Sequence, residues 1–293
     1  MALPLVDRLF LGGLRNLLCG ATGVLHHAPF HRALQRDDFP VRVQHRYDFA
    51  HSPGQTPQLR RAYRTSDRRI PFLVHAAEGT DAVAAGEIER LAAANVLRQN
   101  TVVVHAIACS EADRAAMAAA KACVAWCPEA GLRLYGRAAD VAALRAAGVR
   151  IGLGSESPMA GSRDLLSSLA SASAGGALAP EELLELATVG SAEVARLPRA
   201  GESPGSAADL LVTRSPSDLL AGRRDAVALV IVRGAALYGE PGLMEAACAA
   251  WAPLQVDGAP RALERALHRR LASLLRAHGS VLSRVPWLQA VRP

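Results

Sequence analysis

Short apolar runs recur along residues 21–155: Thr22–Leu25, Val41–Val43, Phe72–Val74, Thr101–Val104, Cys123–Trp126 and Arg150–Leu153. Most precede a longer stretch in which Ala and Leu return at helical spacing. Asp81–Ala94, Ala112–Ala122 and Ala138–Ala147 are the clearest, the last stopping at Gly148. Buried strands alternating with helices predict a parallel sheet covered on both faces, in the βα units of a barrel or a doubly wound sheet. The polar, arginine-rich residues 51–70 read as loop or a short exposed helix. Beyond Pro180 the pattern gives helices over Glu181–Ala187 and Ala192–Leu197, a turn at Gly201–Gly205 and a strand over Asp209–Val212. A second strand follows over Ala226–Val232, then another turn over Gly234–Pro241. These late strands read as a small accessory sheet. Leucines 263, 267, 271, 274 and 275 then predict an amphipathic helix starting after Pro260, docked by its leucine face.

Composition narrows the class. With 293 residues, 51% of them hydrophobic, the chain is neither disordered nor fibrous. Only 4% are aromatic, so Ala, Val and Leu build the core. No apolar run reaches the roughly 18 residues of a membrane span. Asp7 and Arg8 interrupt the stretch where a secretion signal would be apolar, and five cysteines is an odd number; both point to a reduced, cytoplasmic protein. Net charge is +6 with Lys121 the only lysine, and seven arginines against two acids lie beyond residue 250. No Phe, Tyr or Trp lies between Arg261 and Arg276, so a solvated helix face is expected there rather than a nucleic-acid surface.

Three strand ends carry groups of catalytic type. Phe72–Val74 runs into His75, Val102–Val104 into His105, and Ile151–Gly154 into Ser155-Glu156. Side chains at the C-terminal ends of parallel strands converge on one mouth, where chemistry sits in α/β barrels. Imidazole and carboxylate together suit a divalent metal that activates water. Glu78, three residues past His75, can reach the same mouth as a proton carrier. Other candidates are weaker. His26, His27 and His31 fit a mouth or a surface loop equally well. Cys123 and Cys127 lack a second pair for a zinc knuckle, Ser155 and Ser157 lack a nucleophile elbow, and Gly152-Leu153-Gly154 lacks the third glycine of a nucleotide loop.

The same residues carry a family resemblance. His75-Ala76-Ala77-Glu78 resembles the H-x-x-E of the amidohydrolase superfamily, in its cytosine-deaminase and chlorohydrolase-like branch, and Val104-His105 is similar to that family's next histidine strand. Cys127-Pro128-Glu129-Ala130-Gly131 with Leu134 and Gly136 resembles C-P-x-S-N-x-x-L-x-G, and Gly152–Ser157 resembles G-L-G-T-D-S. Ala187-Thr188, Ala192, Gly201–Gly205 and Ala208-Asp209-Leu210 are similar to the family's exit into a β-sandwich. The resemblance covers about residues 10–240. It implies a TIM-barrel-like α/β fold with a partial small β-domain and a C-terminal helical extension. The division implied is 1–200 for the barrel portion, 201–240 for the sandwich segment and 241–293 for the arginine-rich extension. It also implies metal-dependent hydrolysis of a C–N bond in a small, often heterocyclic, substrate. Zinc or another divalent metal would be held by His75 and Glu156, with His105 orienting substrate or water and Glu78 shuttling protons.

The departures are as specific as the matches. No H-x-H occurs anywhere, the nearest pair being the adjacent His26-His27; Glu156 stands where the family has Asp; Ala130 and Gly131 replace Ser and Asn. The family's first strand and the first half of its sandwich would lie upstream of Met1, leaving sheet edges that favour a homo-oligomer. The alternative expectation is therefore a truncated or catalytically silent homologue that binds a small molecule or a partner.

Overall fold

The computed structural model describes residues 3–198, 201, 203 and 205–292. The chain forms two compact units, one from Met1–His45 with Pro198–Pro293 and the other from Arg46–Leu197. Among the described residues no helix is long and apolar enough to cross a membrane.

The first unit opens with the helix Leu5–Leu18, which buries Phe10, Leu14, Leu17 and Leu18. Strands β1 (Gly23–Leu25) and β2 (Arg42–Gln44) pair parallel and, among the described residues, only with each other. The second unit holds β3 (Asp48–Ala50), β4 (Phe72–Ala76), β5 (Thr101–His105), β6 (Cys123–Trp126) and β7 (Arg150–Leu153). These form one parallel sheet in sequence order, so four strands predicted from apolar runs are found where expected. Their runs are unbroken because the strands are buried on both faces: Val74, Val103 and Val124 are fully buried. The sheet ends at β3 and β7 and does not close into a barrel among the described residues.

The helix read over 81–94 is broken at Gly86 into Ala82–Ala85 and Glu87–Ala93. In the polar stretch 51–70, the helix Leu59–Thr65 is half-docked rather than exposed. Tyr63 is buried edge-on against the Phe72 ring, and its hydroxyl donates to Asn100 at 2.6 Å.

The late chain departs furthest from its reading. Strands β8 (Leu210–Thr213), β9 (Val227–Val232), β10 (Ala235–Gly239), β11 (Trp251–Val256), β12 (Ala259–Glu264) and β13 (Val291–Arg292) form one six-stranded antiparallel sheet of the first unit. Residues 235–239, read as turn, are a return strand. The turn itself is only Arg233-Gly234, both with positive φ (53° and 80°), the backbone of a two-residue hairpin. Asp257-Gly258 repeats the device (φ 52° and 80°) between β11 and β12. Pro260 therefore lies in a strand opposite Gln255, and the helix begins only at Arg265, where Glu264 accepts from the Ala266 and Leu267 N–H groups. That helix, Arg265–Leu282, does bury Leu267, Leu271 and Leu274, while Leu263 belongs to the sheet. Because β12 lies between β10 and β11, a boundary at 240 would cut this sheet, and the two units do not follow the division at 200 and 240. In the turn read at 201–205, Glu202 and Pro204 lie outside the described residues.

Candidate functional site

His75, Glu78, His105 and Glu156 meet at the C-terminal edge of the parallel sheet. His75 lies in β4, and its N–H donates to the carbonyl of His51, which follows β3. His105 ends β5. The register sets Ala76, not His75, opposite His105, so a regular pleat would point the two imidazoles to opposite faces. The left-handed backbone at His105 (φ 79°) breaks that alternation, and the rings stack with centroids 5.2 Å apart. Ala77, Ala106 and Glu156 also carry positive φ, so the ends of β4, β5 and β7 hold non-glycine residues in a region that costs free energy.

Glu156 lies in the loop after β7. Its Oε2 is 3.6 Å from Nε2 of His75 and 3.8 Å from Nε2 of His105, while Oε1 of Glu78 is 3.5 Å from the same His105 nitrogen. The loop is closed by Ser162 N–H to the Ser155 carbonyl at 3.0 Å and by the Ser168 hydroxyl to the Gly154 carbonyl at 2.6 Å. A Cβ at Gly161 would sit 2.5 Å from the Ser155 oxygen and 2.7 Å from Cβ of Glu156, so only glycine permits this closure.

Electrostatics follow from the contacts. Burial pulls the His75 pKa down, but its hydrogen bond to Glu156 and the charges of Glu78 and Glu156 outweigh burial and leave it raised. The same hydrogen bond holds Glu156 at about 2. Burial lowers His105, whose side chain is 1% exposed and whose Nδ1 has no hydrogen-bond partner. His105 is thus the more nearly neutral imidazole of the pair.

The ligand atoms of His75, His105 and Glu156 all lie within 4.8 Å of one another. Two donors each about 2.1 Å from one tetrahedral ion would be about 3.4 Å apart, so separations of 3.6 and 3.8 Å need little adjustment. Two imidazoles and a carboxylate form a donor set for a divalent cation, with a position left open. All four residues singled out at strand ends are brought together here, while His26, His27 and His31 lie in the other unit; His31 instead accepts from the Ala33 N–H and caps a short 3-10 turn.

Two further residues touch the site without having been singled out. Glu87, buried at the start of its helix, accepts the Ala77 N–H at 2.9 Å and so fixes the turn between His75 and Glu78. Tyr135 donates its hydroxyl to Oε1 of Glu78 at 3.2 Å. Neither has a local sequence signal.

The Amidohydrolase family model matches residues 38–237. No curated protein matches the chain in sequence. Solved structures do match in fold. An adenosine deaminase from Xanthomonas campestris with bound zinc aligns at 20% identity and TM-score 0.64, over 79% of this chain and 69% of that one. An atrazine chlorohydrolase from Arthrobacter aurescens, complexed with zinc, aligns at 21% and 0.61, over 79% and 71%. An N-isopropylammelide isopropylaminohydrolase from Burkholderia multivorans aligns at 18% and 0.61, over 79% and 73%. For a mutant atrazine chlorohydrolase structure the alignment spans 55% of the neighbour's length. At these identities the likeness is one of fold.

Proposed function

The chain belongs to the amidohydrolase family, and on that premise we propose that it hydrolyses a C–N bond of a small molecule, by deamination or amide hydrolysis. Amines borne on heterocyclic rings are the first substrates to try. The observation that carries this reading is the meeting of His75, His105 and Glu156 beside a second carboxylate, Glu78, at one sheet edge.

In this reading the three clustered residues would hold zinc or another divalent ion, which places His105 among the donors. When bound, such an ion lowers the pKa of water and polarises the carbon under attack. The chain's own groups do the rest. Glu78 accepts the proton that attacking water must lose and returns it to the leaving nitrogen, the usual work of a positioned carboxylate. The stack of His105 on His75 fixes both rings. Glu156, whose carboxyl pKa its contact with His75 holds low, supplies the negative charge that a cation site needs.

The test is metal content and turnover on one preparation. Purified protein is expected to hold close to one equivalent of zinc by elemental analysis and to release ammonia or an alkylamine from a panel of aminopyrimidines, aminotriazines and aminopurines. His75→Ala should lose both. Protein that takes up no metal on reconstitution and turns nothing over would overturn the reading.

The absence of H-x-H from the sequence favours a second reading, a silent homologue that binds a small molecule or a partner. Saturable binding of a panel compound without turnover by metal-loaded protein would support it. A reduced cytoplasmic setting and self-association complete the proposal; the five cysteines are all free thiols.

A further inference from the structure

Glu78 can move a proton productively only if its carboxylate is held in one place, and its position in the chain does not ensure this. It follows Ala77, whose φ is 52°, in a turn beyond the end of β4, and its side chain is 26% exposed. The turn's backbone is anchored from one side by Glu87, through the Ala77 N–H. That leaves the carboxylate itself to be fixed from elsewhere.

We propose that Tyr135 is the positioning residue for Glu78: its hydroxyl holds the carboxylate oxygen that faces His105 and leaves the other oxygen to carry the proton. This rests on the role given to Glu78 above. Oε1 of Glu78 receives the Tyr135 hydroxyl at 3.2 Å and lies 3.5 Å from Nε2 of His105. A carboxylate oxygen has two lone pairs, so accepting from Tyr135 holds Oε1 beside His105 without needing a proton from that ring. Oε2 has no hydrogen-bond partner among the described residues. A proton arriving there meets no competing donor.

Tyr135 is itself held in place. It ends the helix Pro128–Tyr135, which starts directly after β6 and is stopped by Gly136 in the left-handed cap position (φ 70°). Within that helix a Cβ at Gly131 would stand 2.8 Å from the Arg137 carbonyl, so the chain after the helix folds back against it. The phenol stays a donor, since burial and then the charges of Glu78, Asp81 and Glu87 push its pKa up. The contact joins residues 57 apart in sequence.

Tyr135→Phe removes the hydroxyl and almost nothing else. Crystal structures of parent and variant are compared, and both are assayed on whichever aminotriazine or aminopyrimidine the parent turns over. Expected are a Glu78 carboxylate that leaves the His105 side in the variant, and kcat lower by about tenfold, the worth of one hydrogen bond to a charged group, at unchanged KM. Thermal midpoint and zinc content should match the parent, which separates positioning from loss of fold. A Glu78 carboxylate that keeps its place in the variant, or an unchanged kcat, would overturn the proposal. If the parent turns over nothing, the crystallographic comparison still decides the positioning claim, and only the functional reading fails.

Discussion

His75 and Glu156 hold each other's charge, and this has a consequence for stability in protein stripped of metal. The folded pKa of Glu156 is depressed from 4.5 to about 2, so its contribution is present above pH 4.5 and fades as pH falls towards 2. The folded pKa of His75 is raised above 6.5, so its contribution is complete below pH 6.5 and is lost as pH rises through the folded value. Thermal melts of chelator-treated protein should therefore peak between these limits, and Glu156→Gln should flatten both flanks. Equal pH profiles for parent and variant would show that the pair does not form. These residues were legible in the sequence because each sits where an apolar run stops, a place set by local pattern. Tyr135 and Glu87 were not, since each acts on a residue outside its own element. Spacing along the chain carries no trace of such a contact.

At the scale of elements, the site depends on backbone that departs from regular geometry. Register alone would set the two imidazoles on opposite faces, and one left-handed residue at the end of β5 overrides it. The loop after β7 depends similarly on Gly161. If the proposed site holds zinc, Gly161→Ala should push Glu156 out of the donor set and weaken that binding by about tenfold or more in a competition titration, as loss of ligand support commonly does. Unchanged affinity would mean that the loop yields without moving the carboxylate. The four parallel strands β4 to β7 were readable because burial on both faces leaves an uninterrupted apolar run. The antiparallel hairpins were harder to read. Asp257-Gly258 is a strong two-residue turn signal, but the leucines beyond it repeat at a spacing that also suits a helix. The hairpin prevails because β12, besides its turn partner β11, pairs on its other side with β10, which is not local.

At the scale of the whole molecule, the basic balance has a structural use. The first unit is assembled from chain segments far apart in sequence, and arginines tie them together. Arg42 pairs with Asp209 at 2.5 Å; Arg233 donates to the carbonyls of Asp37, Phe39 and Val41; Arg270 lies over the Phe10 ring and 3.7 Å from Asp7. Asp209 is the centre of this arrangement, with its side chain 5% exposed and the Arg233 N–H also donating to it at 2.6 Å. Asp209→Ala should lower stability by about 3 kcal/mol, read as a reduced urea midpoint, because the groups it pairs would be left without their acceptor. A midpoint within error of the parent would show that solvent replaces the carboxylate. Of the seven arginines beyond residue 250, Arg261 is buried and bonded to the carbonyls of Pro260 and Asp225, so the solvated helix face expected for that segment is only part of their use.

The sequence by itself determined the parallel βα units, the four chemical groups at their ends and the family, because each is written in a local run of residues: a buried strand, the polar residue that ends it, a motif of fixed spacing. Only the tertiary structure decided that His105 turns to meet His75, that Tyr135 reaches Glu78, and that residues 251–264 join a sheet instead of a helix. Those outcomes depend on backbone strain and on partners tens of residues away, whose free energy exists only once the chain has closed on itself.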